Sequence, residues 1–152
     1  MVEIRNSILL EAILTAVYNV ASRRTSLKFA DETVGSTIKT LEGKYDFLKF
    51  VEISKEDMAE GEFDGSVSSD IDTVNPAVIG KAIEALIRVV YNDMNEEAGL
   101  YFVNEVKENA GKEITKKIVD CEVDLEQLQL EQHYSYRRKE KKRAIAEAAR
   151  SG

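Results

Sequence analysis

Two side chains with the reactivity for catalysis or metal binding occur only once each in this sequence, His133 and Cys121. A histidine acts as a base or ligand together with partners, and neither a second His nor a nearby Cys supplies one. Cys121 lies between Asp120 and Glu122, whose carboxylates disfavour a thiolate. We therefore interpret His133 as a residue on a helix face and Cys121 as a small packing residue.

The motifs that carry common chemistries are absent from the sequence. It contains no G-x-G-x-x-G or G-x-x-x-x-G-K-[ST] phosphate loop, no G-x-S-x-G elbow and no H-E-x-x-H pair. Dinucleotide, Walker-type, hydrolase-elbow and zincin functions are therefore excluded as interpretations. We assign no catalytic residue, expect no cofactor or metal, and favour a non-enzymatic role.

An acidic run between residues 54 and 72 is another place where folding could build a site. It contains Asp57, Glu60, Glu62, Asp64 and Asp70 among glycines and serines. Clustered carboxylates in a flexible loop suit Mg²⁺ or Ca²⁺, but the spacing of an EF-hand is missing. We expect a solvated acidic loop, with a divalent-cation site as the alternative.

The C-terminal segment has the opposite charge to the rest of the chain. Residues 134–152 contain seven Lys or Arg and two Asp or Glu, a net charge of +5, whereas residues 1–133 contain fourteen and twenty-six, a net charge of −12. The clustered basic residues are Arg137, Arg138, Lys139, Lys141, Lys142 and Arg143. The pattern is typical of a solvated tail, or of one that contacts a partner, the chain's own acidic face or nucleic-acid phosphate.

The overall charge of −7 argues against general affinity for nucleic acid or anionic membranes. The apolar run from Ile8 to Ala21 contains Glu11 and is followed, not preceded, by Arg23 and Arg24, which does not fit a signal peptide. It is also too short and too polar to span a bilayer. With a lone cysteine, which suits a reducing compartment, we expect a cytoplasmic protein without membrane association.

Two predicted helices carry more apolar surface than a one-sided helix needs. In residues 4–22 and 76–93, polar side chains form one narrow stripe and nearly all other positions are apolar. We expect these helices to be central neighbours, with one face meeting a second copy, a protein partner or an apolar ligand. The candidate interface or pocket residues are Leu10, Leu14, Tyr18, Ile83, Leu86, Ile87 and Tyr91.

The remaining elements are shorter. Residues 28–43, 96–110 and 112–118 have helical patterns, and residues 45–53 have the composition of a strand that could pair with one within 62–71. Asp124 and Gln127 form a capping-box pattern before a last helix, which Leu125, Leu128 and Leu130 can anchor.

The predicted fold class is α+β and predominantly helical: a bundle of about five helices, with a small β-hairpin or strand pair inserted between helices 2 and 3. We expect one globular helical domain over residues 1–133 and a basic C-terminal helix or flexible tail over 134–152.

The functional hypothesis is a regulatory or protein-interaction module that acts through helical self-association or partner binding, as a homo-oligomer or with another protein. The alternative is a small-molecule sensor or carrier with an apolar pocket between helices 4–22 and 76–93. A weaker alternative is nucleic-acid contact through the basic tail.

Overall fold

The structure, a computed structural model, describes residues 4–53, 65–94 and 101–151. The described chain forms a predominantly helical α+β fold with one two-stranded sheet between the second and third helices, as predicted. The α-helices are α1 (Asn6–Arg24), α2 (Leu27–Glu42), α3 (Pro76–Asp93), α4 (Phe102–Ala110), α5 (Lys112–Asp120) and α6 (Leu125–Ser151). The strands are β1 (Val51–Ile53) and β2 (Gly65–Val67).

Helix α1 is the centre of the core. It packs against α2, α3, α4, α5 and β2. Its wide apolar face is therefore covered from several sides within one chain, which accounts for the composition of residues 4–22. Glu11 lies on the exposed side, next to half-buried Thr15 and Asn19 on the predicted polar stripe.

Helix α3 has the bounds that its local signals predict. The Oδ1 of Asn75 accepts a hydrogen bond from the backbone N–H of Ala77 at 2.9 Å, and Pro76 occupies the first turn. The helix packs against α1, α2, α4 and α6. At Gly80 it approaches the turn between α5 and α6 so closely that a Cβ would overlap the carbonyl oxygen of Cys121.

The strand predicted over residues 45–53 is wrong for most of its length. Asp46–Phe50 is a 3₁₀ turn, and only Val51–Ile53 is extended. Phe47 and Leu48 are consecutive and both buried, whereas a strand would direct them to opposite faces. The strand pair itself is confirmed, since β1 runs antiparallel to β2 with Val51 opposite Val67. A second 3₁₀ turn, Ser69–Thr73, leads to α3.

The other helix predictions are confirmed with small shifts. Of the helix predicted over 96–110, Phe102–Ala110 is described, and residues 96–100 lie outside the described residues. Gly111 ends α4 with a φ of 91°, a backbone conformation that favours glycine. Helix α5 extends the predicted 112–118 by two residues, to Asp120.

The basic segment is helical and continues α6 past residue 134 without a break. Of the two conformations that the sequence left open, the described structure has the helix. None of the helices in the described ranges is both long and apolar enough to cross a membrane.

Candidate interaction surface of the C-terminal helix

The first part of α6 is anchored to the body. The Oδ1 of Asp124 accepts a hydrogen bond from the N–H of Gln127 at 3.0 Å, at the position that the capping pattern predicts. Leu125 and Leu128 are buried. Leu130 was also expected to anchor this start, and that expectation is wrong, because its side chain faces solvent.

Polar contacts fix the orientation of α6 more specifically than its leucines do. The Oε1 of Gln132 accepts from the N–H of Val103 at 3.3 Å, and the Oε1 of Gln129 accepts from the N–H of Asn104 at 3.2 Å. Two side chains of α6 thus satisfy backbone donors of the first turn of α4, which have no partner within that helix.

An ion pair joins the same part of α6 to α3. The guanidinium of Arg88 lies 3.0 Å from the Oε2 of Glu131, and its Nε also donates to that oxygen at 3.1 Å. Together with the glutamine contacts, this pair fixes which face of α6 points away from the body.

Beyond these contacts α6 leaves the body. We call residues 137–151 the C-terminal arm. Every arm side chain that the structure describes is exposed. Arg137, Arg138, Lys141 and Lys142 form no ion pair with any described side chain. For these four cations, fold-back onto the acidic body, one of the alternatives above, is not seen among the described residues. Arg143 is exposed as well, and the side chain of Lys139 lies outside the described ones.

Three large apolar side chains lie exposed along the outer face of α6, and we call them the outer stripe. Leu130, Tyr134 and Ile145 are 51%, 58% and 61% exposed. At 100° per residue these three positions fall within about 60° of one another. They lie opposite the buried side chains of Leu128 and Gln132. Arg137, Arg138 and Lys141 lie on or beside the same face between Tyr134 and Ile145, so the outer face alternates apolar and cationic groups.

A cleft of about 470 Å³ lies where α5 turns into α6. Its lining includes Val119, which is 55% exposed, and buried Val123. Three carboxylates line it as well, and Lys107 also reaches it; the carboxylates are those of Glu122, Asp124 and Glu126. The cleft therefore offers an apolar surface among mostly acidic groups.

The turn that shapes this cleft has an unusual residue. Glu122 has a φ of 68°, the left-handed conformation that usually favours glycine. The N–H of Val123 bonds to the carbonyl of Ile118 at 3.3 Å, and the N–H of Glu122 bonds to that of Val119 at 3.0 Å. This pair of bonds is the Schellman arrangement, which ends α5 and turns the chain into α6.

The seven residues proposed as an interface or pocket lie in the core. Each is at most 6% exposed; they are Leu10, Leu14, Tyr18, Ile83, Leu86, Ile87 and Tyr91. Within one chain, α2, α4 and their neighbours cover these faces. A role of these residues as an interface or pocket stays a prediction. The clefts described here are lined by other residues.

Tyr18 contributes a polar contact inside the core. Its hydroxyl donates to the Oδ1 of Asp31 at 2.7 Å and so links α1 to α2. Burial, with a smaller contribution from the Asp31 carboxylate, raises the pKa of Tyr18 to about 12. The phenol therefore stays protonated at neutral pH and acts as a structural donor.

The two singly occurring reactive residues have packing roles. The ring of His133 meets that of Tyr101 edge to face, with 5.8 Å between centroids. Cys121 is buried, and burial is the main cause that raises the pKa of its thiol. A raised pKa disfavours the nucleophilic thiolate, in agreement with the interpretation from sequence.

The candidate cation loop lies largely outside the described residues, since Asp57, Glu60, Glu62 and Asp64 belong to the range 54–64. Asp70 is described, and its Oδ2 accepts a hydrogen bond from the hydroxyl of Ser68 at 3.0 Å. Within the described ranges, no group of three or more His, Cys, Asp or Glu is arranged to hold a metal ion.

A larger cleft, of about 690 Å³, lies between α2, the first 3₁₀ turn and β1. Its apolar lining is Ile38, Leu48 and Val51, and charged residues such as Asp31 and Lys39 also line it. Sequence reasoning missed this cleft, because it forms between segments whose packing is not encoded locally. The outer stripe of α6 was detectable in principle from the spacing of its three large apolar residues.

Comparison with known proteins gives no match to a family model, a curated protein or a solved structure.

Proposed function

We propose that this protein is a non-enzymatic protein-interaction module, and that its C-terminal arm binds acidic protein surfaces. One observation carries the proposal: the arm is an exposed helix whose Arg137, Arg138, Lys141 and Lys142 pair with no described side chain. Solvated cations on a helix with an adjacent apolar stripe suit a helix that docks through both charge and apolar contact.

The overall charge favours an acidic protein over phosphate as the arm's partner. Duplex DNA is negative along its whole length and so meets the body of net charge −12 as well as the arm, whereas a protein can present a local acidic surface to the arm alone. The lone, buried Cys121 supports a reducing setting, and we propose the cytoplasm.

The test is a binding titration with a defined probe, a fluorescent helical peptide that carries glutamates around a leucine stripe. We expect binding by the full chain and at least about tenfold weaker binding when the four arm cations are changed to glutamine. The matched control changes four exposed lysines elsewhere to glutamine: Lys28, Lys39, Lys112 and Lys116. Equal loss in the control, or tighter binding of a DNA duplex than of the peptide, would overturn the proposal.

A second candidate is small-molecule binding in the cleft beside α2. Its volume of about 690 Å³ lies in the range of ligand pockets, and its lining is partly apolar and partly polar. This cleft lies elsewhere than the pocket that the sequence predicted between helices 4–22 and 76–93. A thermal-shift screen of metabolites tests it, because a ligand of the native state raises the melting temperature. A true ligand loses its shift in Ser36→Arg, a change at an exposed lining residue, and the absence of any shift counts against this candidate.

A further inference from the structure

We propose that the acidic partner of the arm is a second copy of this chain, and that two α6 helices pair antiparallel. This inference rests on the proposed function and names its partner. In the pair, the arm of each copy lies against the cleft between α5 and α6 of the other copy. Tyr134, on the outer stripe, meets its equivalent in the other copy.

The arm and the cleft have complementary chemistry. The cleft has Val119 and Val123 among the carboxylates of Glu122, Asp124 and Glu126. In the arm, exposed Ile145 stands beside Lys141 and Lys142. Ile145 can cover the apolar lining while the ammonium groups reach the carboxylates. Lys107 offsets part of the cleft's negative charge, which leaves a net attraction for the arm.

The spacing along α6 allows this contact to occur twice with two-fold symmetry. Ile145 follows Tyr134 by eleven residues, and Val123 precedes it by the same number. At 1.5 Å per residue Ile145 is about 16 Å from Tyr134 along α6, and the helix start at Leu125 is about 14 Å away in the other direction, with Val123 two residues before it. A two-fold axis at Tyr134 therefore places each arm isoleucine beside the partner's cleft, in a closed interface in which both copies use the same surface.

Two features of α6 keep the required face free of the body. Leu130 and Tyr134 are both more than half exposed, so a second helix can approach them. The ion pair of Arg88 with Glu131 and the capping of α4 by Gln132 hold the opposite face against the body. The same contacts that anchor α6 therefore present the outer stripe to a partner.

A charge-swap experiment in the full chain tests the pairing. The arm variant carries Lys141→Glu and Lys142→Glu, and the cleft variant carries Glu122→Lys and Glu126→Lys. Sedimentation velocity at about 50 µM protein should show a dimer for the original chain, and each variant alone should dimerise at least about tenfold more weakly. Mixing the two variants should restore a dimer, because each mutant arm then meets an oppositely charged cleft. Circular dichroism checks that the variants are folded.

The matched control carries Lys28→Glu and Lys39→Glu on α2, which change the net charge by the same amount as the arm variant. It should dimerise like the original chain. A monomer of the original chain at this concentration, or no recovery in the mixture, would overturn the pairing. If the arm still binds the acidic peptide in that case, only the identity of the partner is wrong; if peptide binding is also absent, the proposed function fails with it.

Discussion

The carboxylate of Asp72 accepts a hydrogen bond from the backbone N–H of Ser7 at 2.9 Å, so a residue far along the chain caps the central helix. Beside it, the Nδ2 of Asn6 donates to the carbonyl oxygens of Ile71 at 3.0 Å and Val74 at 2.7 Å. These contacts tie α1 to the segment that enters α3. We expect Asp72→Ala to lower the free energy of unfolding by about 1 kcal/mol, the usual cost of losing a cap, in urea titrations.

The same contact predicts a pH dependence. The bond from Ser7 lowers the pKa of Asp72, so the folded state keeps the carboxylate charged at pH values where the unfolded chain binds a proton. The charged Asp72 carboxylate therefore stabilises the folded state above the unfolded pKa of about 4, and this stabilisation is lost as pH falls through the lower folded pKa. The difference in unfolding free energy between the original chain and Asp72→Ala should shrink in acid, and a constant difference down to about pH 2 would contradict this.

Gly80 and Gly35 make a matched pair of helical glycines. A methyl group at Gly80 would overlap the carbonyl oxygen of Cys121, whereas one at Gly35 meets no atom within 4 Å. We expect Gly80→Ala to destabilise by about 1–3 kcal/mol through overpacking. Gly35→Ala should stabilise by about 0.5–1 kcal/mol, because alanine is the better helix former. Thermal unfolding of both variants measures these two changes in stability. Equal effects would mean that α3 and the turn at Cys121 are farther apart than the structure shows.

The left-handed backbone of Glu122 costs conformational free energy in the turn that forms the acidic cleft. Glycine adopts its φ of 68° without steric strain, so Glu122→Gly should raise the free energy of unfolding by about 0.5–1 kcal/mol. Glu122→Ala removes the same charge but keeps the strained backbone, and should give no such gain. If alanine stabilises as much as glycine, the gain comes from the charge and not from the backbone.

Tyr18 should make the protein sensitive to alkali. Its raised pKa means that the unfolded phenol loses its proton near pH 10, while the folded one keeps it to about pH 12. The contribution to stability is full below about pH 10 and falls as pH rises towards 12. Tyr18→Phe removes both this titration and the bond to Asp31, at a cost of about 1 kcal/mol near neutral pH. Unfolding curves of the two proteins should therefore converge between about pH 10 and 12.

Local signals predicted the helices well, and contacts distant in sequence explain what was missed. Asn75 and Pro76 define the start of α3 by themselves, and the predicted range 76–93 agrees with the structure. The aromatic and β-branched residues after Tyr45 suit a strand and a buried 3₁₀ turn equally, so composition could not distinguish the two.

The candidate site shows the same division between local and long-range information. The charge of the arm is visible in sequence, but its separation from the body depends on where α6 stops contacting α3 and α4. The acidic cleft depends on a left-handed backbone at Glu122, and the sequence has no glycine at this position that would have predicted it. The apolar excess of α1 and α3 was read correctly as surface to be covered. Other elements of the same chain cover this apolar surface, because several of them together surround α1.

The salt dependence of acidic-peptide binding tests most directly the claim that the arm is the binding element. Between about 0.05 and 0.5 M salt, the affinity of the full chain for the peptide should fall at least about tenfold, because screening weakens attraction between exposed charges. The variant with glutamine at positions 137, 138, 141 and 142 should bind weakly at both concentrations. Equal affinity of the two proteins, with no response to salt, would contradict the claim.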